Sequence, residues 1–308
     1  MDQFNSHPLY RKHNIDCAMS SLWEFYKSKF LSLFLISFVM SLVMQYGSTF
    51  VNLKELQTTK DPMVMFEIIK SYMVPIIVLL LVNLLFTTIM QYYIIYNPLN
   101  KENNFFVSFL KSLKYFIPYL IIMVLLAFAG SIAIVLGVFV LIIGMFFAML
   151  YVFTIYLFIL PVMMVEGVNI GNTISRTFIL VHRNFWSNIG WVAVFIIILI
   201  VVSVIFSAII YLPFTGSFVK TIINPGDSSG LIDLTTNPLF IILSAITGAL
   251  TFPIMPIFAC ILYFNGRAGE EQGQIAPKPA PEDEKVKVED LYAKPYSDDH
   301  PENPKNIV

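Results

Sequence analysis

Five long runs contain no Asp, Glu, Lys, Arg or His at all: roughly 30–51, 72–96, 115–165, 187–212 and 238–264. A helix needs about 20 mostly apolar residues to cross the hydrocarbon core of a bilayer, which is about 30 Å thick. Every run meets that length, and one globular core cannot enclose them all, because a surface exposed to water must be covered with polar groups. Composition agrees, at 57 % hydrophobic and 13 % charged residues with a mean hydropathy of +0.75. A soluble domain carries about 45–50 % apolar and about 25 % charged residues. A cytosolic enzyme, a disulfide scaffold and a nucleic-acid binder are excluded. The chain reads as an all-α, polytopic membrane protein.

The run from Tyr115 to Val165 spans 51 residues. As one helix it would be about 76 Å long, more than twice the core it has to cross. Two helices with a reversal near Gly137 to Leu141 fit better, which makes six spans: about 30–51, 72–96, 116–137, 142–163, 187–212 and 238–264. With the N-terminus in the cytoplasm, six spans leave 15 Lys and Arg inside and 4 outside, whereas five spans leave 8 inside and 11 outside. Cytoplasmic loops carry the excess of basic residues, so six is the choice, with both termini cytoplasmic in a multi-pass inner-membrane protein. No short apolar stretch with a small-residue cleavage site precedes the first span, so no removable signal peptide is expected.

The six spans read as three hairpins, each preceded by a cytoplasmic amphipathic helix. The three stretches are 21–30, 105–116 and 174–186, each with basic residues beside aromatics, a pairing suited to the headgroup layer. In the third, Ile170, Ile174, Phe178, Val181 and Phe185 form one helical stripe and Arg176 and Arg183 another. Residues 1–29 make a cytoplasmic N-terminal segment, 30–264 the membrane domain and 265–308 a tail. That tail holds six prolines, ten acidic and six basic residues. It buries too little apolar area to offset its ordering entropy, so it is expected to be disordered, a solubilising tail or a partner-binding one. Between residues 52 and 71, Asp61 to Ser71 can form a helix with Pro62 in its first turn.

Ionisable groups at membrane depth serve ion-coupled transport and intramembrane proteolysis, and the runs have none. The best polar groups available there are Gln45, Asn83, Gln91, Ser131, Ser203, Ser207 and Ser244, and no serine is paired with a buried His or Lys to activate it. His7, His13, His182 and His300 lack second ligands at metal spacing. No catalytic constellation, metal or cofactor is expected. Gly130, Gly137 and Gly144 recur at seven-residue steps, read as close helix packing, with pore lining as the alternative. Pro253 and Pro256 interrupt the last run and kink it; broken helices also mark transport sites. Cys17 and Cys260 are expected to be free thiols near the cytoplasmic face. The candidate contacts for a lipid headgroup or a partner are Glu166, Arg176, His182, Arg183 and Arg267. Arg176 and Arg183 can grip phosphate, or they can be topological anchors with Glu166 paired to one of them.

The run Pro161-Val-Met-Met-Val-Glu166, then Gly171-Asn-Thr-Ile-Ser-Arg176-Thr-Phe-Ile-Leu180 and Asn184-Phe-Trp186, resembles a bacterial family, the membrane domains named after glycerophosphoryl diester phosphodiesterase. The segment Leu262-Tyr-Phe-Asn-Gly-Arg267-Ala-Gly-Glu270-Glu271 is similar to the way those domains end. The resemblance spans roughly 95–272 and implies a six-span helical domain, fused in some members to a phosphodiesterase and standing alone in others. The 44 residues beyond the last span are far short of an enzyme barrel of about 250 residues, so that activity is not carried over.

Three functions compete on these residues. The first is a non-catalytic membrane protein that organises lipids, anionic phospholipid among them, or partner proteins through its 265–308 tail. The second is a transporter or flippase for a hydrophobic or amphiphilic substrate. The third is a headgroup enzyme using Glu166 and His182, without a nucleophile or metal beside them.

Overall fold

A computed structural model describes residues 2–51, 61–100, 105–216, 219, 223 and 236–275, and among the described residues there is no strand. Nine α-helices follow in order among them: α1 (Ile15–Ser28), α2 (Phe30–Ser48), α3 (Pro62–Tyr96), α4 (Phe105–Phe139), α5 (Leu141–Glu166), α6 (Ile170–Arg183), α7 (Phe185–Tyr211), α8 (Pro238–Thr251) and α9 (Ile254–Ile275). Six stretches are long and apolar enough to cross a membrane: α2, α3, α4, most of α5, most of α7, and α8 with α9 taken together to Glu271. The long run is divided at Val140, one residue that separates α4 from α5.

Several boundaries differ from the sequence reading, each for a local reason. The span expected at 72 begins at Pro62, because Asp61 caps the helix by accepting the Met63 N–H at 2.9 Å and proline suits the first turn. The stretch 105–116 is no separate surface helix: it forms the first turns of α4. The tail expected from 265 is helical to Ile275, and the expectation of disorder for 276–308 lies outside the described residues. So do residues 52–60 of the first long loop. The chain divides into two units, Met1–Glu270 and Glu271–Val308, and the first holds α1 to α8 together with α9 as far as Glu270.

Spans adjacent in sequence pack on one another, and α2 also packs extensively on α8, so the first span meets the last. Small residues set these approaches. A methyl added to Gly137 would lie 2.7 Å from the Gly144 carbonyl oxygen, and one on Gly144 would lie 2.6 Å from that of Gly137. Only glycine permits such backbone contact at the α4–α5 reversal. The packing reading of those two glycines is therefore the one this geometry supports. The last span is interrupted: α8 stops at Thr251 and α9 starts at Ile254, around Pro253. Two side chains meet carbonyls near the break. Tyr26 of α1 donates to Leu250 O at 2.9 Å, and Gln91 of α3 donates to Pro256 O at 3.3 Å.

Beside the last turn of α3 and the middle of α9, the N-terminal segment folds inward. Phe4, His7 and Leu9 are buried, and Phe4, His7 and Tyr10 pack against Phe264. The His13 backbone N–H donates to Asn265 Oδ1 at 2.8 Å. This plug follows no periodic pattern, so nothing in the sequence sets it apart from an unstructured approach to α1.

Candidate functional site

The turn after α5 brings the sequence-nominated charges together. Gly167, at φ 119, reverses the chain in a conformation that L side chains rarely adopt, and Asn169 caps α6 by accepting the Asn172 N–H at 2.9 Å. α6 then packs against α5, with Leu180 close to Gly266 of α9 and next to Phe158. The stripe that α6 buries is Thr173, Thr177, Leu180 and Val181 rather than the expected one: Ile170 and Ile174 are half-buried and Phe178 is exposed. Threonine is small enough for close packing, and its hydroxyl can bond the preceding turn, as Thr173 does to Asn169 O at 2.8 Å.

The face of α6 bearing Arg176 and Arg183 meets two carboxylates. Arg176 Nε donates to Glu166 at 2.8 Å, and its two terminal nitrogens donate to Glu270, one of them at 2.9 Å. Arg267 donates to the other Glu166 oxygen at 3.0 Å, and the Tyr263 hydroxyl donates to that same atom at 3.0 Å. Arg183 lies 3.3 Å from Glu270 and donates to Gly269 O at 3.2 Å. Four of the five nominated residues, Glu166, Arg176, Arg183 and Arg267, thus form one network with Glu270 and Tyr263. It ties the end of α5 to α6 and α9.

His182 stands apart from it. Its Nε2 is 3.2 Å from the Tyr151 hydroxyl and its Nδ1 is 2.8 Å from Phe178 O, with Phe185 stacked alongside. The pairing of Glu166 with His182 that a headgroup enzyme requires is not formed. Among the described residues no group of three His, Cys, Asp or Glu gathers to hold a metal. Both cysteines are free, with Cys17 exposed but Cys260 buried in the bundle beside Gln91, away from any surface.

Several spaces adjoin these elements. A cleft of about 280 Å³ lies between Glu166, Gly167, Asn172, Ser175 and Arg176. An apolar groove of about 880 Å³ runs between α4, α5 and α7. Small residues are among its lining, Ala127, Gly130 and Ser131 on α4 and Ala193 on α7, together with Phe153 and Ile197. A second apolar cleft of about 570 Å³ shares Phe153, Ile196 and Ile200 with the groove and extends it along α7 toward Ser207. A partly polar cavity of about 180 Å³ brings Asn83, Thr87, Gln91, Tyr119 and Tyr156 together with apolar walls that include Leu157, Leu160, Phe252 and Met255. Asn83 and Gln91 were among the polar residues read in the spans; Thr87 and the two tyrosines were not. The signal was present, since 83, 87 and 91 are four residues apart and share one helical face.

No protein-family model matches the chain, and neither a curated protein nor a solved structure matches it.

Proposed function

We propose that this chain is a non-catalytic, multi-pass inner-membrane protein that holds a membrane amphiphile by its chain in the groove between α4, α5 and α7. The observation that carries the reading is the groove itself: about 880 Å³, walled almost wholly by apolar side chains, on helices apolar enough to lie in a bilayer. Its volume is that of a small-molecule site, commonly about 300–1,000 Å³. Bundles built only for packing fill such space with side chains; here Ala127, Ser131 and Ala193 leave it open.

The charged network supports a structural role for Arg176 and Arg183. Every nitrogen of Arg176 has a carboxylate partner, so gripping a phosphate costs it an ion pair it already has. We read both termini as cytoplasmic, the six spans as three hairpins, and the chain as one of the glycerophosphoryl diester phosphodiesterase membrane domains on the strength of residues 161–186 and 262–271.

The test is lipid mass spectrometry on gently purified protein, wild type beside Ala193→Phe and Ala127→Leu. A defined amphiphile retained by wild type and lost from both groove-filling variants supports the reading; the same bulk lipid on all three overturns it. A second reading, transport of that amphiphile, is favoured by the interruption of the last span at Pro253. Reconstituted vesicles that move no labelled amphiphile above protein-free controls exclude it.

A further inference from the structure

We propose that the polar cavity of about 180 Å³ is the headgroup pocket for the amphiphile whose chain lies in the groove, and that it selects a small, uncharged, hydroxyl-bearing head. This rests on the groove reading above.

The two spaces share a wall. Tyr156 lines both the apolar groove and the polar cavity, and Tyr119 lines the cavity with it. A molecule lying along the groove therefore reaches hydrogen-bonding groups at Tyr156 without leaving the bundle. The pocket itself has space for about six water molecules at about 30 Å³ each, which suits a head of a few heavy atoms and no more.

Its chemistry selects the head. None of the lining residues is charged. An ammonium would find no counter-charge there and a phosphate no cation, and burying either unpaired is costly. The neutral groups present are mostly poised to accept. Thr87 donates its hydroxyl proton to Asn83 O at 2.8 Å, so its oxygen faces a ligand as an acceptor. Gln91 spends its Nε2 on Pro256 O and on Cys260 Sγ, leaving Oε1 as an acceptor. The half-buried Asn83 also lines the cavity, and its carboxamide adds a donor and an acceptor there. Hydroxyl donors on a neutral head match that inventory, with one acceptor to take the Asn83 amide proton.

The experiment uses the full chain in phosphatidylcholine nanodiscs with three labelled probes of matched chain length: monooleoylglycerol, oleoyl lysophosphatidylglycerol and octadecene. Wild type is expected to retain monooleoylglycerol at least tenfold more tightly than either other probe. Asn83→Leu is expected to bring monooleoylglycerol down to the level of octadecene and to leave octadecene unchanged. Thr87→Val, which removes a hydroxyl at nearly constant shape, makes the same comparison if Asn83→Leu folds poorly, and should cost several-fold. Equal retention of the three probes, a preference for the lysophospholipid, or an undiminished preference in both variants overturns the headgroup assignment while the groove stands. Failure of wild type to retain any probe, octadecene included, overturns the groove reading beneath it.

Discussion

Arg176 grips Glu270 with both terminal nitrogens of its guanidinium, across 94 residues of sequence. The pair is mostly shielded, with the Arg176 side chain 24 % exposed and that of Glu270 15 %. Removing Arg176 leaves Glu270 with Arg183 alone, at 3.3 Å, and a shielded carboxylate that loses its bidentate partner incurs a desolvation penalty. Arg176→Gln is expected to destabilise the protein by about 2–3 kcal/mol, read as a lowered Tm in detergent. Because Glu166 keeps Arg267 and Tyr263, the loss should remain partial. The lipid bound per folded molecule should not change.

The α4–α5 reversal gives a sharper contrast. Gly137→Ala places a methyl 2.7 Å from a backbone oxygen that cannot rotate away, and is expected to cost about 1–3 kcal/mol. Gly130→Ala meets only the Val152 side chain, at 3.0 Å, and should cost less. At Gly190 a methyl meets nothing within 4 Å, so Gly190→Ala should be neutral or mildly stabilising, as alanine is in a helix. Thermal unfolding of the three variants orders them.

His7 makes the N-terminal plug sensitive to acid. Its Nδ1 accepts the Leu9 N–H at 3.1 Å, so the proton is on Nε2, which faces Ile94 O at 3.1 Å. Burial lowers its pKa from 6.5 to about 4, while the bond to the Ile94 carbonyl acts in the opposite direction. A neutral histidine favoured by the folded state contributes its full stability above pH 6.5, and that contribution is lost as pH falls from 6.5 toward 4. The loss approaches about 3 kcal/mol at the lower end. Hydrogen-exchange protection factors over residues 2–13, with the intrinsic pH dependence of exchange divided out, are expected to fall through that window in wild type and to stay flat in His7→Gln.

Tyr26 tests how the break in the last span is supported. Its hydroxyl donates to Leu250 O at 2.9 Å, close to where α8 stops. Tyr26→Phe leaves that carbonyl without its partner and is expected to cost about 1–2 kcal/mol. Phe25→Tyr, on the same buried stripe of α1, gives no such bond and should not restore the loss.

Apolar length made the six membrane-crossing stretches legible, because hydrocarbon thickness is a constraint that sequence shows directly. Gly137 and Gly144 were equally legible, since small residues at regular steps mark close approach. The charged network was legible in membership and not in partnership: Glu166, Arg176, Arg183 and Arg267 were named, yet only the fold brings Glu270 and Tyr263 to them. The protein-packed face of α6 was not legible, because it takes the small Thr173 and Thr177 beside Leu180 and Val181, which hydrophobicity alone does not single out. The N-terminal plug was illegible, because Phe4, His7 and Leu9 are buried by tertiary contacts that no periodicity announces. The groove was hidden for a related reason: it is made by what Ala127, Ser131 and Ala193 lack.

The most direct test of chain binding in the groove is photo-crosslinking in native membranes with lipids that carry a diazirine on the acyl chain, followed by mapping of the labelled residues. Binding in the groove predicts adducts concentrated on its residues, such as Leu126, Phe153 and Ile197, and their loss in Ala193→Phe. Adducts spread evenly over the exposed apolar residues of α2 and α3, such as Leu35 and Val78, and unchanged in that variant, would contradict it.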